Sequence, residues 1–100
     1  MLDLALMRSI ARQMMEQDEI SVDNTIQEVG RSRYQRLRTV TFLMNGHDYQ
    51  AIEQNADKPS RWGQLAREGH KVVQFKDGTT GNFVAVAVDG EVREYGRGRA

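Results

Sequence analysis

Apolar and polar side chains follow one another with the period of an α-helix near the start of the chain. Placing successive residues at about 100° intervals gathers the apolar side chains on one arc and leaves Arg8, Arg12 and Glu16 opposite. A helix with so wide an apolar face must bury it against another element. The pattern therefore predicts a helix over residues 2–17 whose apolar arc covers either its own sheet or a partner. The arc consists of Leu4, Leu6, Met7, Ile10, Ala11, Met14 and Met15.

Two segments with alternating side chains, residues 37–44 and 47–54, flank the dipeptide Asn45-Gly46. Asn-Gly between two such segments favours a two-residue type I′ turn, and that turn fixes which residues face each other across the hairpin. Because side chains alternate along a strand, the facing pairs share one side of the hairpin, and we expect their apolar members to point into the core. The expected pairs are Met44–His47, Phe42–Tyr49, Val40–Ala51 and Arg38–Glu53.

The second half of the chain predicts a short helix followed by further strands. A helix over Ser60–Glu68 places Trp62, Leu65 and Ala66 on one side, and Gly69 suits the position just after a helix end. Residues 83–88 are continuously apolar, which is typical of a strand covered on both faces. Strands are expected over residues 71–76, 83–88 and 91–95, with Asp89-Gly90 as a second type I′ turn.

The order of these elements favours an α+β fold in a single domain over residues 1–100. Tight turns between neighbouring strands indicate an antiparallel sheet of about five strands, and we expect both helices to pack on one side of it. A partly closed β-barrel with helices is the alternative. Residues 18–36 are ambiguous: a strand near Thr25–Val29 is favoured over a tight hairpin or a short helix. Residues 96–100 are predicted to form a flexible basic tail.

The composition excludes several classes of protein but does not indicate a function. The chain has no cysteine, which excludes disulfides, thiolate zinc sites and cysteine nucleophiles. Because small secreted domains usually carry disulfides, a cytoplasmic location is expected. No run of about 18 apolar residues is present, so no membrane span is predicted, and the N-terminus lacks the basic region of a signal peptide. The formal net charge is zero, so any attraction to nucleic acid has to be local.

The clearest charge pattern is an acidic stretch followed by a basic one. Residues 16–29 contain five acids and no basic residue, whereas residues 30–38 contain four arginines, one tyrosine and no acid. Arginines and an aromatic ring can contact phosphates and stack on a base, so the basic segment is a candidate nucleic-acid site. Pairing with the preceding acids is the alternative interpretation. The candidate residues are Arg31, Arg33, Tyr34, Arg36 and Arg38, aided by Arg97 and Arg99 of the tail.

Candidate catalytic chemistry is sparse. His47 and His70 are the only histidines, and they lack the spacing of a metal-ligand pair. Ser60 is typical of a helix cap, although the free N–H groups there, next to Lys58 and Arg61, could hold a phosphate. No motif of a hydrolase or a nucleotide-binding loop occurs. We therefore predict a protein that is not an enzyme and has no cofactor, no metal and no small-molecule ligand.

These patterns favour a small protein-interaction module. Met-rich faces adapt to varied partners, and an amphipathic helix can dock into a groove on another protein or pair with a second copy. A protein partner or a homodimer is therefore expected, with the candidate protein-binding residues Leu6, Met7, Ile10 and Met14. The alternative is a protein that binds RNA or DNA through the basic segment.

Overall fold

Two helices and six strands occur in the part of the chain that the computed structural model describes, residues 2–17, 27–31 and 37–95, with residues 27–31 described by their backbone. Helix α1 spans Leu4–Glu16 and helix α2 spans Arg61–Arg67. Neither is long and apolar enough to cross a lipid bilayer. The predicted tail, residues 96–100, lies outside the described residues. The strands are β1 (Gln27–Arg31), β2 (Arg38–Met44), β3 (His47–Glu53), β4 (Val72–Asp77), β5 (Phe83–Val88) and β6 (Glu91–Glu94).

The six strands form one open antiparallel sheet, in which the order of the strands is their order in the chain. This confirms the predicted α+β fold, with one strand more than the five or so expected, and the sheet does not close into a barrel. Strand β1 overlaps the favoured position of a strand in the ambiguous stretch. The register shifts between Glu28 and Gly30 and again between Phe75 and Lys76. Such irregularities bend a strand and increase its twist.

Both predicted Gly-containing turns are present, and they set the register of their hairpins. The φ angles are 56° and 77° at Asn45 and Gly46, and 52° and 88° at Asp89 and Gly90. Two successive positive φ angles define the type I′ turn, and asparagine, aspartate and glycine tolerate this left-handed conformation best. The Cα pairs across the first turn include Met44–His47, Phe42–Tyr49 and Val40–Ala51, as predicted.

The two helices pack on opposite faces of the sheet, which corrects the expectation that they share one side. Helix α1 covers the face that carries Phe75 and Ala85, which we call the core face. Trp62 of α2 lines a groove together with Val86 of β5. Because side chains alternate along β5, Val86 and α2 belong to the other face, which we call the second face. Residues 85–87 are at most 2% exposed, as expected for a strand covered on both sides.

Helix α1 is held to the core face by its apolar arc. Its first turn is capped by Asp3, whose carboxylate accepts a hydrogen bond of 3.0 Å from the backbone N–H of Leu6. Ile10 has no exposed surface, and beneath the helix the rings of Phe42 and Phe75 meet edge to face with centroids 6.1 Å apart. Burying a side chain of this size contributes about 1.5–3 kcal/mol. Helix α1 is therefore an integral part of the domain core.

Candidate functional site

The predicted docking residues of α1 lie in the core. Met7 and Ile10 have no exposed surface, Met14 is 4% exposed and Leu6 is partly buried. They pack against the core face of their own sheet. Of the two roles predicted for the apolar arc, the structure shows the first, covering of its own sheet. Binding of a partner by these residues stays a prediction, and a partner could touch Met7 or Ile10 only if α1 left the sheet.

The basic segment is described in part. Arg33, Tyr34 and Arg36 lie outside the described residues, so their role stays a prediction. The backbone of Arg31 pairs with that of Arg38 in the β1–β2 ladder, which places the two residues side by side at one end of the sheet. The side chain of Arg38 is described, and it points into the protein.

Arg38 joins the end of α1 to the sheet. Its side chain is 7% exposed, and its guanidinium donates to the carbonyl oxygen of Gln17 at 2.6 Å and to that of Met14. The same group pairs with the carboxylate of Glu53 at 3.4 Å, and that carboxylate also accepts from the backbone N–H of Arg38 at 2.6 Å. Binding of a phosphate by Arg38 stays a prediction, and it would require Arg38 to leave these contacts.

A groove of about 490 Å³ opens on the second face between α2 and the hairpin of β5 and β6. Its floor is apolar, since Val88 is only partly buried and Val86, 2% exposed, packs beside it. One wall is the side of α2 that carries Trp62, and the other is the edge strand β6. A volume of this size is within the range of ligand-binding clefts. The groove is lined by Arg61, Trp62, Leu65, Val86, Val88, Glu91, Val92 and Arg93, and we call it the Trp62 groove.

The aromatic wall of the Trp62 groove is fixed by a chain of contacts. The ring of Trp62 meets that of Tyr95 at an angle of 62°, with centroids 6.4 Å apart. The Tyr95 hydroxyl donates to the side-chain oxygen of Gln74 at 2.5 Å, and the Gln74 amide donates to Gln54 at 3.1 Å. Burial raises the pKa of Tyr95 above its ordinary value of 10.0. Because its polar groups are paired, this network can hold the ring of Trp62 in place before any ligand arrives.

Helix α2 has seven residues, and bonds between side chains and backbone fix it to the preceding loop. The hydroxyl of Ser60 accepts from the backbone N–H of Gly63 at 3.1 Å, so Ser60 caps the helix. The Arg67 guanidinium donates to the carbonyl oxygens of Ala56 and Lys58, at 2.6 and 3.0 Å. A Cβ atom on Gly63 would overlap the Lys58 carbonyl oxygen. The close approach of α2 to this loop therefore requires glycine at position 63.

The rims of the Trp62 groove carry positive charge. The guanidinium of Arg61 lies over the ring of Trp62, 5.2 Å from its centroid, and Arg93 is exposed on β6. The acid of the lining, Glu91, pairs with Arg12 of α1 at 3.6 Å. The groove thus presents two arginines beside an aromatic ring and an apolar floor. Such an arrangement can bind a carboxylate through the arginines and an aliphatic side chain on the floor.

The two histidines lie in different surroundings. His47 is exposed beside the first turn, and His70 is hydrogen-bonded to Asp89. Within residues 2–17, 27–31 and 37–95, no three His, Cys, Asp or Glu side chains cluster closely enough to hold a metal ion.

The Trp62 groove is not among the sites that the sequence predicts. Trp62 and Leu65 were predicted as a buried stripe, whereas both are partly exposed at the groove. The contribution of β6 was missed, although the Asp89-Gly90 turn carries the signal: its register pairs Arg93 with Val86, which puts both on one face. Comparisons of the chain with protein-family models, with curated proteins and with solved structures gave no match.

Proposed function

We propose that this protein is a small protein-interaction module that binds an acidic, extended segment of a partner in the Trp62 groove. The observation that carries the proposal is the position of Trp62 between Arg61 and Arg93 above an apolar floor. Tryptophan and arginine are the residues most enriched among those that dominate binding energy in protein interfaces. The preset ring of Trp62 lowers the entropic cost of binding.

Charge selects the class of partner. Arg61 and Arg93 are exposed, while Glu91 is opposed by Arg12. A segment with carboxylates would meet complementary charges, which favours fast association and rejects basic competitors. Branched aliphatic side chains between the carboxylates would reach Val88 on the floor. The preferred partner therefore alternates acidic and aliphatic residues.

The neighbouring sheet edge suits an extended backbone. The backbone N–H of Tyr95 donates to the carbonyl oxygen of Val84 at 3.0 Å. Because hydrogen-bonded and non-hydrogen-bonded pairs alternate along an antiparallel ladder, the backbone groups of Val92 and Glu94 point to the outer edge of β6. This strand ends the described sheet. A partner segment could add to that edge by strand pairing while its side chains enter the groove.

The described residues also bear on the two other predicted functions, self-association through α1 and binding of nucleic acid. Self-association through α1 would require Met7 and Ile10 to leave the core, so we do not carry it forward as the mode of binding. Binding of RNA or DNA through Arg31, Arg33, Tyr34 and Arg36 stays an alternative, in which Arg38 would have to leave its contacts. It would weaken steeply with salt because phosphate contacts release counterions.

The test uses Trp62 as its own reporter, because it is the only tryptophan of the chain. The intact protein is titrated with a nine-residue peptide that alternates glutamate with valine and isoleucine, and with a matched peptide that has lysine in place of glutamate. We expect a saturable change in fluorescence with the acidic peptide at concentrations up to about 1 mM, and at least tenfold weaker binding of the basic one.

Two charge-reversal variants test whether the peptide binds in the Trp62 groove. Arg93→Glu should weaken binding of the acidic peptide by about tenfold or more, because a like-charge repulsion replaces an attraction. Arg8→Glu makes the same charge change on α1 and should leave binding within about twofold. Equal binding of both peptides, equal effects of both variants, or selective binding of single-stranded RNA in place of the acidic peptide would refute the proposal.

A further inference from the structure

A second cavity lies near the C-terminal end of α2, which contributes Ala66 to its lining. It is a cleft of about 440 Å³ between the end of α1, the loop after β3, and the start of β4. Its apolar lining includes Met14, Leu37 and Val72, and its polar lining includes Glu53 and His70. An apolar cleft with a few polar groups is the usual form of a small-molecule site. We call it the His70 cleft.

The imidazole of His70 has a hydrogen-bond partner in Asp89, and the two side chains are 43% and 48% exposed. The ring Nδ1 lies 2.7 Å from a carboxylate oxygen of Asp89. The other carboxylate oxygen of Asp89 accepts from the backbone N–H of Lys71 at 2.9 Å, and the backbone N–H of Asp89 donates to the carbonyl of Lys71 at 2.8 Å. Asp89 itself sits in the type I′ turn with φ of 52°. Three hydrogen bonds and a tight turn therefore fix the carboxylate against which the ring rests.

This arrangement sets which ring nitrogen is left for a ligand. An ionised carboxylate accepts hydrogen bonds and cannot donate them, so Nδ1 carries the proton toward Asp89. The Nε2 of the neutral ring is then an acceptor. The structure gives Nδ1 a partner, and His70 lines the cleft, so Nε2 is the ring atom that can meet a bound molecule.

Among the described residues that line the cleft, the charges nearly cancel. Glu53 in the wall is paired with Arg38, and the charge of Asp57 is opposite to that of Lys71. Neither a strongly anionic nor a strongly cationic ligand is favoured by such a lining. The accessible apolar part of the wall, with Met15, Leu37 and Ala66, favours a ligand with an aliphatic or aromatic body.

We propose that the His70 cleft binds a small uncharged molecule with an apolar body and a hydroxyl group that donates to His70 Nε2, as a phenol does. This site is separate from the Trp62 groove and goes beyond the proposed protein interaction. Asp89 is its positioning residue, because it fixes the tautomer of the ring.

The experiment compares two probes that differ in one hydrogen-bond donor. The intact protein is titrated with p-cresol and with 4-methylanisole while the backbone amide resonances of the cleft residues Ala66 and Val72 are followed by NMR. We expect saturable shifts with p-cresol and roughly fivefold weaker binding of 4-methylanisole, the range set by one net hydrogen bond.

Two variants test the preference for a ligand with a hydrogen-bond donor. A purely structural role of His70 or Asp89 would leave this preference unchanged. His70→Phe keeps an aromatic ring without an acceptor, and Asp89→Asn can donate to Nδ1 and so turn Nε2 into a donor. Both should abolish the preference for p-cresol, whereas His47→Gln should keep it. The proposal is overturned if p-cresol gives no saturable shift, if both probes bind equally to the unmodified protein, or if His70→Phe retains the preference.

Discussion

Replacing Arg38 by methionine tests how the core face is held together. The variant Arg38→Met keeps an apolar side chain of similar length and removes the guanidinium. It leaves the carbonyl oxygens of Gln17 and Met14 without their donor and the Glu53 carboxylate without its cation. Removing one partner of a buried ion pair typically costs about 3–5 kcal/mol. Because the Glu53 side chain is 26% exposed and water can reach it, we expect the lower end, about 3 kcal/mol in the free energy of unfolding.

Urea denaturation followed by circular dichroism measures this loss, and the melting temperature should fall by roughly 10–20 °C. Arg12→Met is the matched control, because Arg12 pairs with Glu91 on the surface, where the two side chains are 53% and 78% exposed. Its loss should be below about 1 kcal/mol. If Arg38→Met cost no more than Arg12→Met, the contacts of Arg38 would not hold α1 to the sheet. Arg38 would then return to the list of accessible basic residues.

Two further outcomes follow from burial and from pH. Ile10→Ala should cost about 2–5 kcal/mol, because Ile10 has no exposed surface, whereas Leu43→Ala, at a side chain 37% exposed, should cost under about 1 kcal/mol; equal losses would contradict the assignment of α1 to the core. Hydrogen bonds from the Lys71 backbone and from His70 hold the pKa of Asp89 below its ordinary value of 3.8. A depressed folded-state pKa adds stability above the unfolded value, and this is lost as pH falls through the folded-state pKa. Asp89→Asn, which tolerates the same turn, should therefore flatten the melting temperature against pH below about pH 4, and an unchanged profile would contradict the role of these hydrogen bonds.

The hairpins were predictable because the residues that determine each turn are neighbours in the sequence. Asn45-Gly46 and Asp89-Gly90 favour a turn of one type, and that turn alone fixes the register of two strand pairs. The placement of the helices depends on contacts between residues that are not neighbours in the sequence. Trp62 and Leu65 predict a packed side of α2, yet periodicity does not say which face of the sheet that side meets. The answer depends on the loop before α2, where Gly63 and Arg67 fix the helix to the backbone.

Arg38 shows why candidate sites are harder to predict than folds. The sequence correctly placed it across the hairpin from Glu53 and also grouped it with the other arginines of the basic segment. Its burial depends on where α1 ends, because the carbonyl oxygens of Met14 and Gln17 are the groups it caps. A cation there also suits the negative end of the helix dipole. Such contacts join residues far apart in the chain, so charge spacing along the sequence does not reveal them.

The two helices differ in length. The longer one contributes mainly to stability, and the shorter one leaves a face open for the proposed binding. Helix α1, with 13 residues, closes the core face, where Met7 and Ile10 have no exposed surface. Helix α2, with 7 residues, leaves part of the second face open, and Phe83 there is 48% exposed with the Lys76 ammonium 6.0 Å from its ring centroid. In the proposed function the partner meets the second face, whose aromatic and basic groups contribute little to the buried core. For this reason substitution of the exposed Arg93 should change binding with little loss of stability, and substitution of Ile10 should do the reverse.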